Sequence, residues 1–336
     1  MKISQLDQSN KTNQKFFVEV CAGAGGLSSG FIYQKFKPVL LNDSDKNCVE
    51  TLKLNHPSAN ICHDRMENIN FASYSNIDLL MGGLPCQSFS FAGNRKGLRD
   101  KRGNLILKFI EVVGNVTPKV FLIENVKGLM THNNSLTLKK ILDEIAKLNQ
   151  YKIYCEVLNS NDYNVPQNRH RLFIVGVHTT ITKKFKFPKK QNYKPVLRDV
   201  LENCPSSDGY AYKKTKYELM KLIPEDGCWT NLPADKQKAY LGKSYYSGGG
   251  KRGILKRLSM NKPLLTLLTN PSQKQTERCH PKETRPLQIL EYARIQTFSD
   301  TYKFSGSKAQ IYKQIGNAVP VNLAKALAQE VMRVLS

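Results

Sequence analysis

The sequence is short of acidic residues, of tryptophan and of paired cysteines. Asp and Glu number 27 against 51 Lys and Arg, a net charge of +24 over 336 residues. So lopsided a balance points to a polyanionic partner, nucleic acid first. The one tryptophan, Trp229, is expected in a core. The eight cysteines, at positions 21, 48, 62, 86, 155, 204, 228 and 279, include no CxxC pair and no short Cys/His ligand spacing. Neither a zinc site nor a redox motif is signalled, no metal is expected, and the thiols read as reduced in a cytosol-like compartment. No apolar run approaches the ~18 residues needed to span a bilayer, and the polar start MKISQLDQSNKTNQK lacks a signal core. The expectation is cytoplasmic action without a membrane. Internal repeats and low-complexity tracts are absent.

At 40% hydrophobic residues, the chain can bury a large core, which excludes disorder and a small stapled scaffold. In its first half, short apolar runs at Phe16 to Val20, Val39 to Leu41, Ile77 to Met81, Val120 to Ile123 and Leu172 to Val177 read as strands. A further short strand is expected at Asn60 to Cys62. Helical periodicity fills the gaps at Leu27 to Phe36, Asn47 to Asn55, Leu105 to Val113 and Leu136 to Leu148. Strand and helix in alternation predict a parallel, doubly wound α/β sheet covered on both faces.

After about Val177 the rhythm stops. Lys183 to Lys262 holds nineteen Lys and Arg against seven Asp and Glu, a local excess of twelve, half of the chain's net charge in a quarter of its length. Regular pattern returns at Leu287 to Thr297 and at Val321 to Leu335, whose Leu323, Leu327, Val331 and Val334 share one helix face. The predicted organisation is a catalytic and cofactor-binding domain over 1–181, a smaller, irregular domain over 182–286, and a C-terminal segment over 287–336 that returns to the first.

Two segments carry candidate chemistry by themselves. FFVEV runs into Ala22-Gly23-Ala24-Gly25-Gly26 and a helix, with Asp43 twenty residues after Gly23. This arrangement brings backbone close to a nucleoside-bearing cofactor and lets an acid grip its ribose. Ser28 stands at the sixth position of the GxGxxG pattern, so the dinucleotide fingerprint is incomplete. Ile77 to Met81 leads into Gly82-Gly83-Leu84-Pro85-Cys86, placing a cysteine at the carboxyl end of a strand beside a loop with Arg95, Lys96, Arg99, Lys101 and Arg102. A thiolate there could be held and stabilised, although a single buried cysteine is more often inert.

Taken in order, FVEVCAGAGG, LLNDSDK, GGLPCQSFS, FLIENVKGL, QNRHRLFIVG, RPLQILEYARIQTFSD and QIGNAVPVNLA resemble the DNA cytosine-5 methyltransferase family, specifically its compact bacterial enzymes. The match covers most of the chain outside residues 180 to 260. The resemblance implies an S-adenosylmethionine-dependent methyltransferase fold of Rossmann type and methyl transfer to carbon 5 of cytosine in double-stranded DNA. The implied nucleophile is Cys86, adding to carbon 6 of a flipped base. Glu124 would engage N3 and the exocyclic amine, its pKa raised by burial at the end of VFLI. Arg169 and Arg171 alternate along a strand, and the second is implied to contact the cytosine carbonyl and brace the glutamate.

For the cofactor, the resemblance implies contacts from Gly23, Gly25, Gly26 and Leu27, from Asp43 to the ribose and from Asp64 to the adenine amine, with Pro85 and Asn317 bordering the site. Cys21 and Ser44 stand where relatives often carry phenylalanine or tryptophan against the adenine. For DNA, a loop from Gln87 through Ser90 to Arg102 would close over the target. Thr266 matches a threonine-aliphatic dipeptide in the variable segment, and Lys251, Arg252, Lys256 and Arg257 are candidate contacts, more often to phosphate than to bases. A tRNA-methylating relative shares the PCQ and ENV motifs, with a smaller recognition region. A stand-alone enzyme of this size looks like the modification half of a restriction system, with a cognate endonuclease acting separately, although a solitary or phage-borne methyltransferase would look the same; the enzyme is expected to work as a monomer.

Overall fold

In the central strands, consecutive residues face opposite ways and both faces are apolar, so neither face can be left to water. Phe17 and Val18, Leu79 and Leu80, and Phe121 and Leu122 belong alternately to two separate hydrophobic clusters, one on each side of the sheet. The computed structural model describes residues 14–84, 104–247 and 253–336. Its main sheet comprises β1 (Phe16–Val20), β2 (Lys37–Asp43), β3 (Asn60–His63), β4 (Leu79–Gly83), β5 (Val120–Val126), β6 (Tyr151–Asn159) and β8 (His170–His178), while β7 (Gln167–Asn168) lies outside it. The order is β3-β2-β1-β4-β5-β8-β6.

From β1 the chain steps outward through β2 to β3 and then returns to the other side of β1 with β4, all in parallel pairing. The reversal of direction between β1 and β4 opens a crevice at their carboxyl ends, where such folds bind ligands. Toward the other edge one expectation is corrected and one strand is new. The apolar run Leu172 to Val177 forms a strand antiparallel to both neighbours, so the sheet is mostly but not wholly parallel. Its neighbour β6 went unpredicted because YKIYCEVLN carries Lys152 and Glu156 and much of it is exposed or half-buried, as an edge strand permits.

One face of the sheet is covered by α1 (Gly26–Tyr33) and α10 (Val321–Leu335), the other by α3 (Asn104–Val116) and α4 (Leu136–Ala146). Helix α10 buries Leu323, Ala324, Leu327, Ala328, Val331 and Val334, the face its periodicity predicted. It lies so close to α1 that a Cβ on Gly30 would come within 2.4 Å of the Ala324 Cβ.

The 182–286 segment contains only short elements among its described residues: α5 (Arg198–Leu201), α6 (Lys214–Lys221), α7 (Ala234–Leu241) and the two-residue β9 (Leu264–Leu265), which pairs with β7. Two apolar clusters hold it. One gathers Met220, Ile223, Leu232, Leu241, Ile254, Leu255 and Cys279, with Trp229 partly buried against it. The other joins Leu197, Leu201, Leu258, Met260, Leu264 and Leu267 to α8 (Ile289–Ile295) and α9 (Lys308–Asn317). Segment 287–317 therefore shares its core with the irregular region, and α10 is the part that packs on the sheet.

Candidate active site

At the carboxyl ends of β1, β2, β4 and β5 lies a cleft of ≈ 470 Å³. One tight glycine turn and its partners shape its floor. Cys21, Gly23 and Gly25 adopt φ of 52°, 57° and 76°, a left-handed path that folds the chain from β1 into α1 and is unusual for the cysteine. Asp43, the last residue of β2, accepts a hydrogen bond from the Gly23 amide at 2.8 Å and another from the Asp45 amide at 2.8 Å. It thereby clamps the glycine turn to the start of α2 (Lys46–Asn55). From the opposite side, a Cβ on Gly26 would meet the Val319 carbonyl at 2.3 Å, so glycine lets the QIGNAVP segment close the cleft wall.

A nearly buried charge pair comes from β5 and β8. Register sets Arg171 opposite Val126, two residues beyond Glu124, and the Arg171 Nε lies 3.0 Å from Glu124 Oε1 with both side chains nearly buried. Burial pushes the Glu124 carboxyl above the usual range, while Arg171 first and Arg169 second pull it back down. A Cβ on Gly83 would sit 3.5 Å from Glu124 Oε2, so this carboxylate stands beside the strand end that continues into Pro85 and Cys86. Asn125 holds that strand end: its side-chain amide donates to the Leu84 carbonyl at 3.2 Å.

Of the residues predicted from sequence, the structure brings Cys21, Gly23, Gly26, Leu27, Asp43, Ser44, Glu124, Arg171 and Asn317 to the cleft wall. Pro85, Cys86, Gln87, Ser90, Arg102, Lys251 and Arg252 lie outside the described residues. Gly25 does not line the cleft. Its left-handed turn faces inward, where a Cβ would strike the Tyr302 hydroxyl at 2.7 Å. Asp64 is exposed just past β3 and accepts bonds from the Arg65 amide and the Asn68 side chain. It too is absent from the wall.

Four cationic or polar expectations change with their surroundings. Arg257 is corrected: it is buried, and all five of its guanidinium N–H donors are taken, by the carbonyls of Ile223, His280, Glu283 and Met220 and by the Thr284 hydroxyl. No donor remains for DNA. Lys256 binds Asp226 through its side chain and carbonyl. Thr266 is half-buried and donates its hydroxyl to the Asn168 carbonyl at 3.0 Å, which joins the irregular segment to β7. Arg169, only 1% exposed, donates to the carbonyls of Leu267 and Asn317 and so does not share Arg171's position on the cleft wall.

Glu19 lines the same cleft and was missed. It is an acid inside the apolar run FFVEV, an anomaly that could have marked it. Its Oε2 is buried without a hydrogen-bond partner, and burial pushes its carboxyl up to about 8. Asp45 and Lys313 face each other across the rim at 3.3 Å. Among the described residues, no group of three or more His, Cys, Asp or Glu side chains could hold a metal ion, and no helix is long and apolar enough to cross a membrane.

Comparison with known proteins gives this geometry its relatives. Residues 16–333 match the family model described as C-5 cytosine-specific DNA methylase. The chain is 45% identical to the type II methyltransferase M.Sau96I of Staphylococcus aureus, over 98% of this chain and 79% of that one. It is 43% identical to the type II methyltransferase M.Eco47II of Escherichia coli, over 98% and 82%. Among solved structures, the Entamoeba histolytica methyltransferase EhMeth superposes with a TM-score of 0.69 at 18% identity, covering 96% of this chain and 99% of that one. The S. pombe Dnmt2 methyltransferase does so with a TM-score of 0.67 at 15% identity, covering 95% and 98%. At such identities the two structures speak for the fold, whereas the family match and the relatives above 40% speak for the chemistry. The chain belongs to the C-5 cytosine-specific DNA methylase family.

Proposed function

We propose that this DNA cytosine-5 methyltransferase acts on a cytosine turned out of duplex DNA, using Cys86 as nucleophile and the Glu124–Arg171 pair to handle the ring. The observation that carries this reading is that pair, nearly buried on the cleft wall beside the strand that leads into Cys86.

Carbon 5 of cytosine is a poor nucleophile. Addition of the Cys86 thiolate to carbon 6 would push electrons through the ring toward N3, where Glu124, its carboxyl pushed above the usual range by burial, would donate a proton or a hydrogen bond. Arg171 would hold the carboxyl in place and contact the cytosine carbonyl. Carbon 5 then takes the methyl group, and loss of its own proton to a base drives the elimination of the Cys86 sulfur from carbon 6, so the cysteine is regenerated. The reacting atoms are stacked inside a duplex, and extrusion of the base is needed to reach them.

The residues on the wall fit S-adenosylmethionine. The glycine turn leaves open space over Gly23, Asp43 presents an acid to a ribose, and the unpartnered Glu19 oxygen presents a buried acceptor to a cationic group. Cys21, Gly26, Leu27, Ser44 and Asn317 would complete the contacts. When bound, the cofactor supplies an electrophilic methyl group.

The 182–286 segment would read and hold the duplex, its exposed lysines countering phosphates. The type II names of its relatives favour the modification role in a restriction system; we further propose a separate endonuclease, a monomeric enzyme and a cytosolic setting. Bisulfite sequencing of DNA from cells expressing the protein, beside a Cys86→Ala control, tests the whole reading. Methylation at one sequence context that vanishes in the control is expected. Retained methylation in the control removes Cys86 as nucleophile, and label from methyl-tritiated cofactor entering tRNA instead of duplex DNA would reassign the substrate.

A further inference from the structure

We propose that Arg169 is a positioning residue that fixes the register of the 182–286 segment against the active site, so that catalysis depends on how that segment is seated. The proposal rests on the reading of the cleft given above. Arg169 occupies the break between β7 and β8, its carbonyl anchored by the amide and hydroxyl of Ser160 at 2.9 and 3.0 Å. Its guanidinium reaches two other segments at once: Nη1 donates to Leu267 O at 3.3 Å and Nη2 to Asn317 O at 3.1 Å. Leu267 belongs to the irregular segment, and Asn317 lines the cleft. Two residues along the chain, Arg171 meets Glu124.

The same three segments are tied by neutral groups around the arginine. Gln167, fully buried, accepts from the Leu267 amide at 2.8 Å and donates to Gln296 Oε1 at 2.7 Å. Gln296, also fully buried, donates to the carbonyls of Ile315 and Ala318 at 2.7 and 2.9 Å. Approach is close enough that a Cβ on Gly316 would meet the Leu268 carbonyl at 2.3 Å. A one-residue slip of Leu267 would break its bonds to both Gln167 and Arg169.

Burying a guanidinium with only carbonyls as partners is costly, and the Arg169 Nε has no hydrogen-bond partner. An apolar side chain would fill the space with less penalty. The charge is explained if the gain is in specificity of arrangement: neutral packing tolerates sliding, whereas a fork aimed at two carbonyls does not.

The test compares Arg169→Met, Arg169→Lys and Gly316→Ala with the wild type and with Cys86→Ala, using duplex DNA and radiolabelled S-adenosylmethionine. Single-turnover rates are read on the cognate duplex and on one with a single altered base pair, alongside cofactor Kd and melting temperature. Arg169→Met should slow the cognate reaction by about 100-fold, the penalty of an ångström-scale misplacement, and reduce the cognate-to-altered rate ratio. Arg169→Lys should recover part of both. Gly316→Ala reaches the same contact from the other side and should reproduce the loss of discrimination, which keeps the idea testable if Arg169→Met does not fold. A Met variant as fast as the wild type overturns the proposal. So does slowing with discrimination intact in both the Arg169 and Gly316 variants. Failure of the proposed function itself shows differently, as a wild type no more active on DNA than Cys86→Ala.

Discussion

Glu124 on β5 and Arg171 on β8 meet at 3.0 Å because those strands are antiparallel, which brings the first residues of β8 back to the cleft end of β5. A parallel strand at that position would have put Arg171 at the far end of the sheet. The pair is nearly out of water, so its two halves are unequal to lose. Arg171→Ala strands a buried carboxylate and should cost about 3 kcal/mol of stability, besides lowering kcat. Glu124→Gln keeps the shape and should lower kcat by about 100-fold or more with little change in melting temperature. Calorimetry and single-turnover methyl transfer on both variants check the contrast, and equal melting losses would contradict it.

Glu19 makes stability depend on pH in a definite direction. Its carboxyl titrates near 8 when folded and near the ordinary value of 4.5 when unfolded. Between those values the folded state holds a proton that the unfolded state has lost, so stability falls as pH rises through that window and is flat beyond it. The slope is at most about 1.4 kcal/mol per pH unit. Glu19→Gln should remove it, so the variant gains on the wild type as pH rises from 5.5 to 8. Urea unfolding of both proteins across that range measures the difference. A constant gap would mean that Glu19 is ionised throughout.

Gly23 and Gly30 should fail in different ways. Nothing lies within 4 Å of a Cβ on Gly23, whereas one on Gly30 would run into Ala324 at 2.4 Å. Gly23→Ala carries only the strain of positive φ, about 1 kcal/mol, but projects into the cleft and should weaken cofactor binding. Gly30→Ala overpacks the α1–α10 contact, a change that costs about 1–3 kcal/mol. Isothermal titration calorimetry and melting temperature should thus separate the two. A Gly30 variant that melts normally would argue against the close helix approach.

Arg257 should behave as a core residue. DNA affinity of the wild type is expected to fall steeply with salt as counterions are reabsorbed. Arg257→Ala leaves five acceptors without their donor and should lower the melting temperature markedly. Where the variant still binds, the slope of log Kd against log salt should match that of the wild type. A slope reduced by about one unit, as loss of a phosphate contact gives, would return Arg257 to the DNA surface.

The tRNA and DNA readings, and the division of +24 between DNA-facing and structural cations, show where residue types stop being informative. An arginine in a basic stretch looks the same whether it meets phosphate or five of its own chain's acceptors. Position decides that, and Arg257 and Lys256 lie among acceptors supplied by residues 220–226 and 280–284, which no local pattern brings together.

By itself the sequence determined the alternation of Phe17 with Val18 and of Leu79 with Leu80, hence a sheet buried on both faces, and the helix face of α10. It also determined the order of motifs that names the family and puts Asp43 and Glu124 at strand ends, since these follow from side-chain periodicity and chain order alone. Tertiary structure decided the antiparallel turn of β8, the edge strand β6, and the separate fates of Arg169 and Arg171. Two arginines two positions apart would project the same way along an unbroken strand. The break before His170 sends one into carbonyls from residues 267 and 317 and leaves the other facing Glu124, an outcome set by contacts between segments roughly a hundred or more residues apart.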